Sequence, residues 1–372
     1  MSLSRRDFIK LFGLSFGSVA AGVSLSACSG DPSAKASKLE EALANNTGEA
    51  WSFTDSCGRT VALSNDIANV APSGAYAQVM LLSLCPEKLM GLCSKISKTQ
   101  LEFFGEQYAD LPIFGRFYSR NADMNYEAII DANPDMIIDV GEHKETIKED
   151  LTSLQEQTGL PVVFVEATLN KMVDAYTLLG EVTQTQSRAK ELADYTNDIL
   201  SFAKKVKKSK SKEQMPRILY GSGEYGTEVH EAGNIHAAVL DAVGVRNVAQ
   251  LTNTNSNQVS IEQIMNWDPD IVILAPNSYF EDIYDDPSWS SVSAVKNKRV
   301  YEIPSIPYSW IDQPPSIQQL LGILWLGNLL YPNDYNFDMA DKAAEFMKLY
   351  WNAEPGKDAI NSMLANSTLI RK

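Results

Sequence analysis

The chain has 372 residues and a formal charge of −15, an acidic balance that disfavours nucleic acid and anionic lipid as partners. Its 44% hydrophobic content, with six Trp and fifteen Tyr, is ample for one or two cores, and its length favours two domains. Four cysteines, no two of them separated by two residues, and three histidines argue against a structural zinc site.

The front of the chain reads as a leader. Ser4-Arg5-Arg6-Asp7-Phe8-Ile9-Lys10 precedes an uncharged apolar run from Leu11 to Val23 that is too short to span a bilayer comfortably. The paired arginines match the twin-arginine export pattern, which implies folding before crossing. Leu25-Ser26-Ala27-Cys28 resembles the bacterial lipobox, so residues 1–27 are expected to be removed and Cys28 to carry the lipid anchor. Losing Arg5, Arg6 and Lys10 with Asp7 leaves the mature chain near −17. Residues 28–50 then form a polar, flexible tether. Cys57, Cys85 and Cys93 remain, enough for at most one disulfide.

Beyond the tether, strand and helix alternate. Trp51 to Leu63 reads as a hairpin about Cys57-Gly58, and Ile67 to Pro72 as a strand. Ser73-Gly74-Ala75 opens a helix over about Tyr76 to Leu84, and Leu89 to Cys93 reads as a further strand. A twelve-residue pattern then occurs twice, as Glu127-Ala-Ile-Ile-Asp-Ala-Asn-Pro-Asp-Met-Ile-Ile138 and Glu262-Gln-Ile-Met-Asn-Trp-Asp-Pro-Asp-Ile-Val-Ile273. In each copy an N-capping residue (Asn125, Ser260) starts a short helix, Pro134 or Pro269 ends it, and a β-branched run follows as a buried strand. Two similar lobes, each with a parallel sheet, are the simplest explanation.

The first lobe spans residues 51–168 and closes with a strand over Leu160 to Val165. Apolar residues at helical spacing from about Lys171 to Lys208, with no proline inside, predict one long helix with a bend at Gly180, so residues 169–212 are the linker. Its lysine-rich end, Lys204 to Lys212, reads as a solvated helix terminus. The second lobe, residues 213–372, begins with a strand at Arg217 to Gly221 and continues through Arg299 to Ile303. A helix over Ile317 to Tyr331, capped by Ser316, and an amphipathic helix over about Asp338 to Trp351 complete it.

The expected fold class is therefore α/β, two Rossmann-like lobes with parallel sheets joined by one long α-helix and a ligand cleft between them. In such sheets ligands bind at the carboxyl ends of the strands. The loops there nominate Ser73, Gly74, Phe117, Tyr118, Arg120, Glu142, His143, Glu224, Tyr225, Tyr279, Tyr308, Trp310 and Asp312 as ligand-binding residues. The aromatics would pack against a large planar or chelating ligand, and Arg120 would meet its negative charge. His143 is the first histidine to consider as a ligand to metal or haem, or as a donor to an oxyanion, although a solvated loop histidine is the simpler reading. His230 and His236 carry less.

In this order, Asp55-Ser-Cys-Gly-Arg-Thr-Val61, the paired Asn133-Pro-Asp135 and Asp268-Pro-Asp270, Ala242 to Val248 and Val300 to Ile303 resemble a known family. It comprises the lipid-anchored solute-binding proteins of bacterial ABC importers, in the class that takes up iron-siderophores, haem and cobalamin. Trp310 to Pro332 looks like a subgroup that includes molybdate and tungstate binders. The resemblance implies a monomer outside the membrane that captures an iron chelate, haem or corrinoid and delivers it to a permease dimer with its ATPase. It has no cofactor, metal or turnover of its own. Molybdate or tungstate is the second ligand class. The resemblance also implies that Glu127 and Glu262 dock on permease arginines. An exported cofactor enzyme is the reading from another class. Against it stand the missing Gly-rich fingerprint after the first strand and three histidines too scattered for a Ser-His-Asp arrangement.

Overall fold

Two small, mainly parallel sheets organise the chain, which the computed structural model describes over residues 50–118, 122–251, 257–276 and 278–367. The leader and Cys28 lie outside the described residues, as does Arg120. A hairpin of β1 (Ala50–Thr54) and β2 (Thr60–Ser64) comes first. The first sheet has the order β3 (Val70–Pro72), β4 (Met136–Gly141), β5 (Val162–Glu166), all parallel. Its helices are α1 (Ala75–Leu84), α2 (Lys98–Phe104), α3 (Tyr126–Ala132) and α4 (Ile147–Thr158). Helices α5 (Met172–Val182) and α6 (Gln186–Ser209) lead to the second sheet, made of β6 (Arg217–Ser222), β7 (Glu228–Val229), β8 (Arg246–Asn247), β9 (Ile271–Leu274) and β10 (Val300–Glu302). There β10, β9 and β6 are parallel neighbours; β8 pairs parallel with the start of β6 and β7 returns antiparallel at its end. Helices α7 (Ala238–Val243), α8 (Ile261–Trp267) and α9 (Ser293–Lys296) accompany it, followed by α10 (Gln319–Leu330), α11 (Met339–Trp351) and α12 (Lys357–Met363).

The duplicated pattern folds the same way twice. The Asn125 side chain accepts from the Ala128 N–H at 3.1 Å and Ser260 from the Gln263 N–H at 3.2 Å, so each helix starts where its cap predicts. Each ends on a left-handed residue, Asn133 (φ 48°) or Asp268 (φ 41°), directly before the proline. The aspartate after that proline then ties its strand to a neighbour. Asp135 accepts from the N–H groups of Ala68 and Asn69, both at 2.8 Å, and Asp270 from that of Arg217 at 3.0 Å. The Pro-Asp pairs thus end a helix and set a strand's register.

Alternation along the strands decides where the cores sit. Met136, Ile138 and Val140 of β4 share one buried cluster with Ile271 and Ile273 of β9, with Ile218 and Tyr220 of β6, and with Tyr176, Leu192, Leu321 and Phe346 from α5, α6, α10 and α11. The alternate residues turn outward. Ile137, Val162 and Phe164 pack under α3 and α4, and Leu219, Val272 and Leu274 pack under α8 and α9. One core is common to both sheets.

The long-helix expectation needs correction. The helical stretch is two helices, with a reversal at residues 183–185 where Gln184 takes φ 59°. A Cβ on Gly180 would lie 2.3 Å from the Ala189 Cβ, so the absence of a side chain lets α5 and α6 pack closely. Tertiary hydrogen bonds stabilise the turn: Gln184 Nε2 donates to the Asn65 carbonyl at 2.7 Å, and Lys88 Nζ to those of Ile67 (2.6 Å) and Thr183 (2.8 Å). Ser316 is not the cap of the following helix, which begins at Gln319 with Gln318 at the cap position. Leu89 and Leu92 make isolated bridges in place of the expected strand.

The hairpin turn closes the free edge of β5. The Ser56 N–H donates to the Phe164 carbonyl at 3.0 Å, Asp55 accepts from the Phe164 N–H at 3.4 Å, and the Arg59 guanidinium donates to the Val162 carbonyl. Arg59 and Asp55 form a buried ion pair at 3.3 Å. Asp55→Ala is expected to leave Arg59 buried without its counter-charge and to cost about 3–5 kcal/mol, read as a lower urea midpoint.

Candidate ligand-binding cleft

The first sheet contributes a wall built on the ends of β3 and β4. Ser73, immediately after β3, donates its hydroxyl to the carboxylate of Asp139, and its carbonyl accepts from the Phe117 N–H at 2.8 Å. Phe117 and Tyr118 stack edge to face at 4.7 Å. The Tyr118 hydroxyl donates to Asp150 at 3.0 Å, and the Lys144 ammonium sits 3.7 Å over its ring. Asp139 is buried, and burial pushes its carboxyl up to about 6, against the lowering effects of the Ser73 hydrogen bond and the charges of Lys144 and Arg59. Gly74 caps α1 with an extended backbone and open space where a side chain would stand. Glu142 and His143 are exposed on the loop after β4, with the His143 ring 6.3 Å from that of Phe164.

The second sheet contributes a wall of different chemistry. Tyr220 of β6, His230 after β7, and His236 on a short turn capped by Asn234 converge on Asp312, which follows β10. His236 Nδ1 lies 2.6 Å from Asp312 Oδ1, the two imidazole rings are 4.8 Å apart, and Tyr220 lies 5.7 Å from His230. The Tyr220 hydroxyl donates to Asp312 at 3.5 Å. The hydrogen bond to Asp312 raises the pKa of His236 against the opposing effect of burial, while burial lowers that of His230. Burial thus favours the neutral form of His230, and His236 engages Asp312 through Nδ1, leaving Nε2 as its second ring nitrogen. A depression of about 370 Å³ opens beside His230, lined also by Glu231, Asn234, Leu251 and Asn257.

These walls face each other. The charge of Glu142, on the loop after β4, reaches both His236 on the second wall and Tyr76 on the first. Glu224 and Tyr225 stand at the rim; the Tyr225 ring lies 5.8 Å from Tyr279, whose hydroxyl donates to Asp286 at 2.9 Å. Two nominated aromatics lie elsewhere. Trp310 is buried in the common core, because the turn that bonds its N–H to the Pro304 carbonyl at 2.9 Å folds the indole inward, where its Nε1 donates to Ile306. Tyr308 packs against Phe104 and Trp351 on the seam between the halves. Asp312 is buried and acts through His236, and Asn277, like Arg120, is outside the described residues. Among the described residues no three His, Cys, Asp or Glu side chains gather to hold a metal ion.

Sequence reasoning missed Asp139 and undervalued His230 and His236. A carboxylate inside the apolar run Met136 to Val140 was the legible signal for the first. His236 meets Asp312 across 76 residues, with His230 beside it, and no local pattern announces that contact.

Residues 118–307 match the profile of the family described as periplasmic binding protein. The chain is 30% identical over 136 residues to the molybdate-binding protein MolA of Haemophilus influenzae; the match covers 35% of either chain, about a third of that relative's length. It is 23% identical over 241 residues to the high-affinity heme uptake system protein IsdE of Staphylococcus aureus, covering 61% of this chain and 79% of that one. An ABC transporter solute binding protein from Sulfurospirillum deleyianum superposes with a TM-score of 0.77 at 25% identity, covering 84% of this chain and 99% of the other. MolA bound to molybdate shares the fold with a TM-score of 0.67 at 17% identity, over 82% of this chain and 99% of its own.

A buried carboxyl raised to about 6 makes the folded state favour the protonated form, so stability falls as pH climbs from the ordinary carboxylate range through 6. Asp139→Asn should therefore exceed wild type in stability by about 1–3 kcal/mol at neutral pH. The gain should vanish near pH 4 when denaturant unfolding is repeated across the range.

Proposed function

The chain belongs to the periplasmic binding protein family, and we propose that it is the extracytoplasmic substrate-binding lipoprotein of an ABC importer. It captures an iron complex (a ferric siderophore, haem or a corrinoid) and delivers it to the membrane permease without chemical change. Acylated Cys28 anchors it to the membrane, and the exposed Glu127 and Glu262 dock the two lobes on the permease.

One observation carries the ligand class: the His230–His236 pair on Asp312, opposite Glu142. A carboxylate that orients an imidazole through Nδ1 raises its basicity and aims Nε2, which suits coordination to a metal. Two imidazoles without a third protein donor suit a metal whose remaining positions are filled by a chelator or macrocycle. Phe117, Tyr118, Tyr225 and Tyr279 supply flat apolar surface for such a body.

Molybdate is the second reading, favoured by the MolA similarity. An oxyanion would rely on main-chain N–H groups and protonated His236. The oriented His230–His236 pair, which suits a metal centre better than an oxyanion, supports the iron complex as the first reading.

Titration calorimetry with ferric siderophores, haem, cobalamin and molybdate is expected to give micromolar or tighter binding of at least one of the first three. His230→Ala with His236→Ala should weaken it about tenfold or more and shift the bound complex's visible spectrum. Micromolar binding of molybdate alone overturns the assignment.

A further inference from the structure

Five large apolar side chains are exposed among the described residues: Ile113, Ile130, Tyr225, Met265 and Tyr284. Single exposed apolar residues are ordinary on a protein surface. Two of these, however, occupy the same place in the duplicated pattern. Ile130 is the fourth residue of the first copy and Met265 the fourth of the second, at 44% and 40% exposure. Each follows an exposed glutamate by three residues on a seven-residue helix, Glu127 on α3 and Glu262 on α8, so acid and apolar group lie on one helical face. The residue between them inward, Ile129 or Ile264, is wholly buried and holds that face outward in both lobes. Ile113 belongs with the first helix, since its neighbour Phe114 accepts from the N–H of the Asn125 cap at 2.7 Å. Among the described residues neither glutamate is in an ion pair.

We infer that Ile130 and Met265, each beside its glutamate, form two equivalent docking knobs for a two-fold symmetric membrane partner that presents, on each subunit, an apolar socket next to a cationic side chain. The inference rests on the reading of Glu127 and Glu262 as docking residues and adds the part of the contact that salt does not screen. The repeat supplies the symmetry argument. A surface feature present once per lobe, at matched positions, fits a partner that offers the same site twice. The acids supply the charge argument: Glu262 is hydrogen-bonded to Ser260 and its own main chain, but neither acid is in an ion pair among the described residues, so a partner's cation beside each apolar knob would complement the charge. Exposed ion pairs are weak singly and fade with salt, whereas burying an aliphatic side chain is nearly indifferent to it.

The test uses the permease–ATPase complex whose ATP hydrolysis the wild-type protein stimulates, reconstituted in nanodiscs, with affinity measured across a sodium chloride series. Ile130→Ser with Met265→Ser is expected to weaken binding about tenfold or more at every salt concentration while the dependence on salt keeps its slope. Glu127→Gln with Glu262→Gln should flatten that slope, and Tyr284→Ser should change neither. An unchanged melting temperature shows that the variants are folded. If the Ile130/Met265 variant binds within twofold of wild type while the glutamate variant still flattens the slope, the knobs are refuted and the docking reading stands. If the glutamate variant leaves both affinity and slope unaltered, the docking reading itself is refuted, and this inference with it.

Discussion

Two sheets that bury their inner faces in one apolar cluster are coupled through it. The inner faces of β4 and β5 and of β6 and β9 bury their alternate side chains in one continuous apolar cluster, joined by Tyr176, Leu192 and Leu321 of α5, α6 and α10. Rotating one half away from the other would return much of that apolar surface to water, at about 25 cal/mol for each Å². The seam is also bonded where Gln100 donates to the Pro307 carbonyl at 3.0 Å. The two cleft walls are therefore set against each other by the same packing that makes the protein stable. A ligand meets a cleft that is largely formed in advance, which limits the ordering cost of binding.

Within that frame the walls differ in how they hold protons. On the first, Asp139 is raised by burial and kept in place by Ser73, beside the cation–π pair of Lys144 and Tyr118. On the second, the hydrogen bond to Asp312 favours the protonated form of His236, while burial and the neighbouring His236 favour the neutral form of His230. Opposed walls of this kind provide imidazole nitrogen on one side and aromatic surface on the other.

What was legible in the sequence was local. The repeat could be read because its cap, its short helix and the stop before proline act within a few residues; the aspartates that tie its strands, Asp135 to Asn69 and Asp270 to Arg217, act across the chain and were not legible. The break between α5 and α6 escaped the same reasoning because both helices turn their apolar side to one core, so periodicity runs on through a reversal held by Lys88 and Gln184 from afar. Trp310 was misplaced for a related reason. A strand's carboxyl end says which loop approaches the cleft but not which way each side chain of that loop turns, and a turn back to Pro304 decided it. The His–Asp contact needed the second sheet complete before any of its members could be recognised.

The repeated unit also explains why surface and interior need not compete. In both copies one isoleucine faces the sheet with no exposure, while the residues two before and one after it face solvent as an acid and an apolar group. A seven-residue helix has room for one buried anchor and one outward stripe. The left-handed stop and the Pro-Asp pair fix its orientation from below. Because the anchor, the stop and the strand tie are the same in both halves, the outward stripes inherit the symmetry of the sheets. The same local device that ends each helix and ties each strand therefore also presents a matched acid and apolar residue on each half.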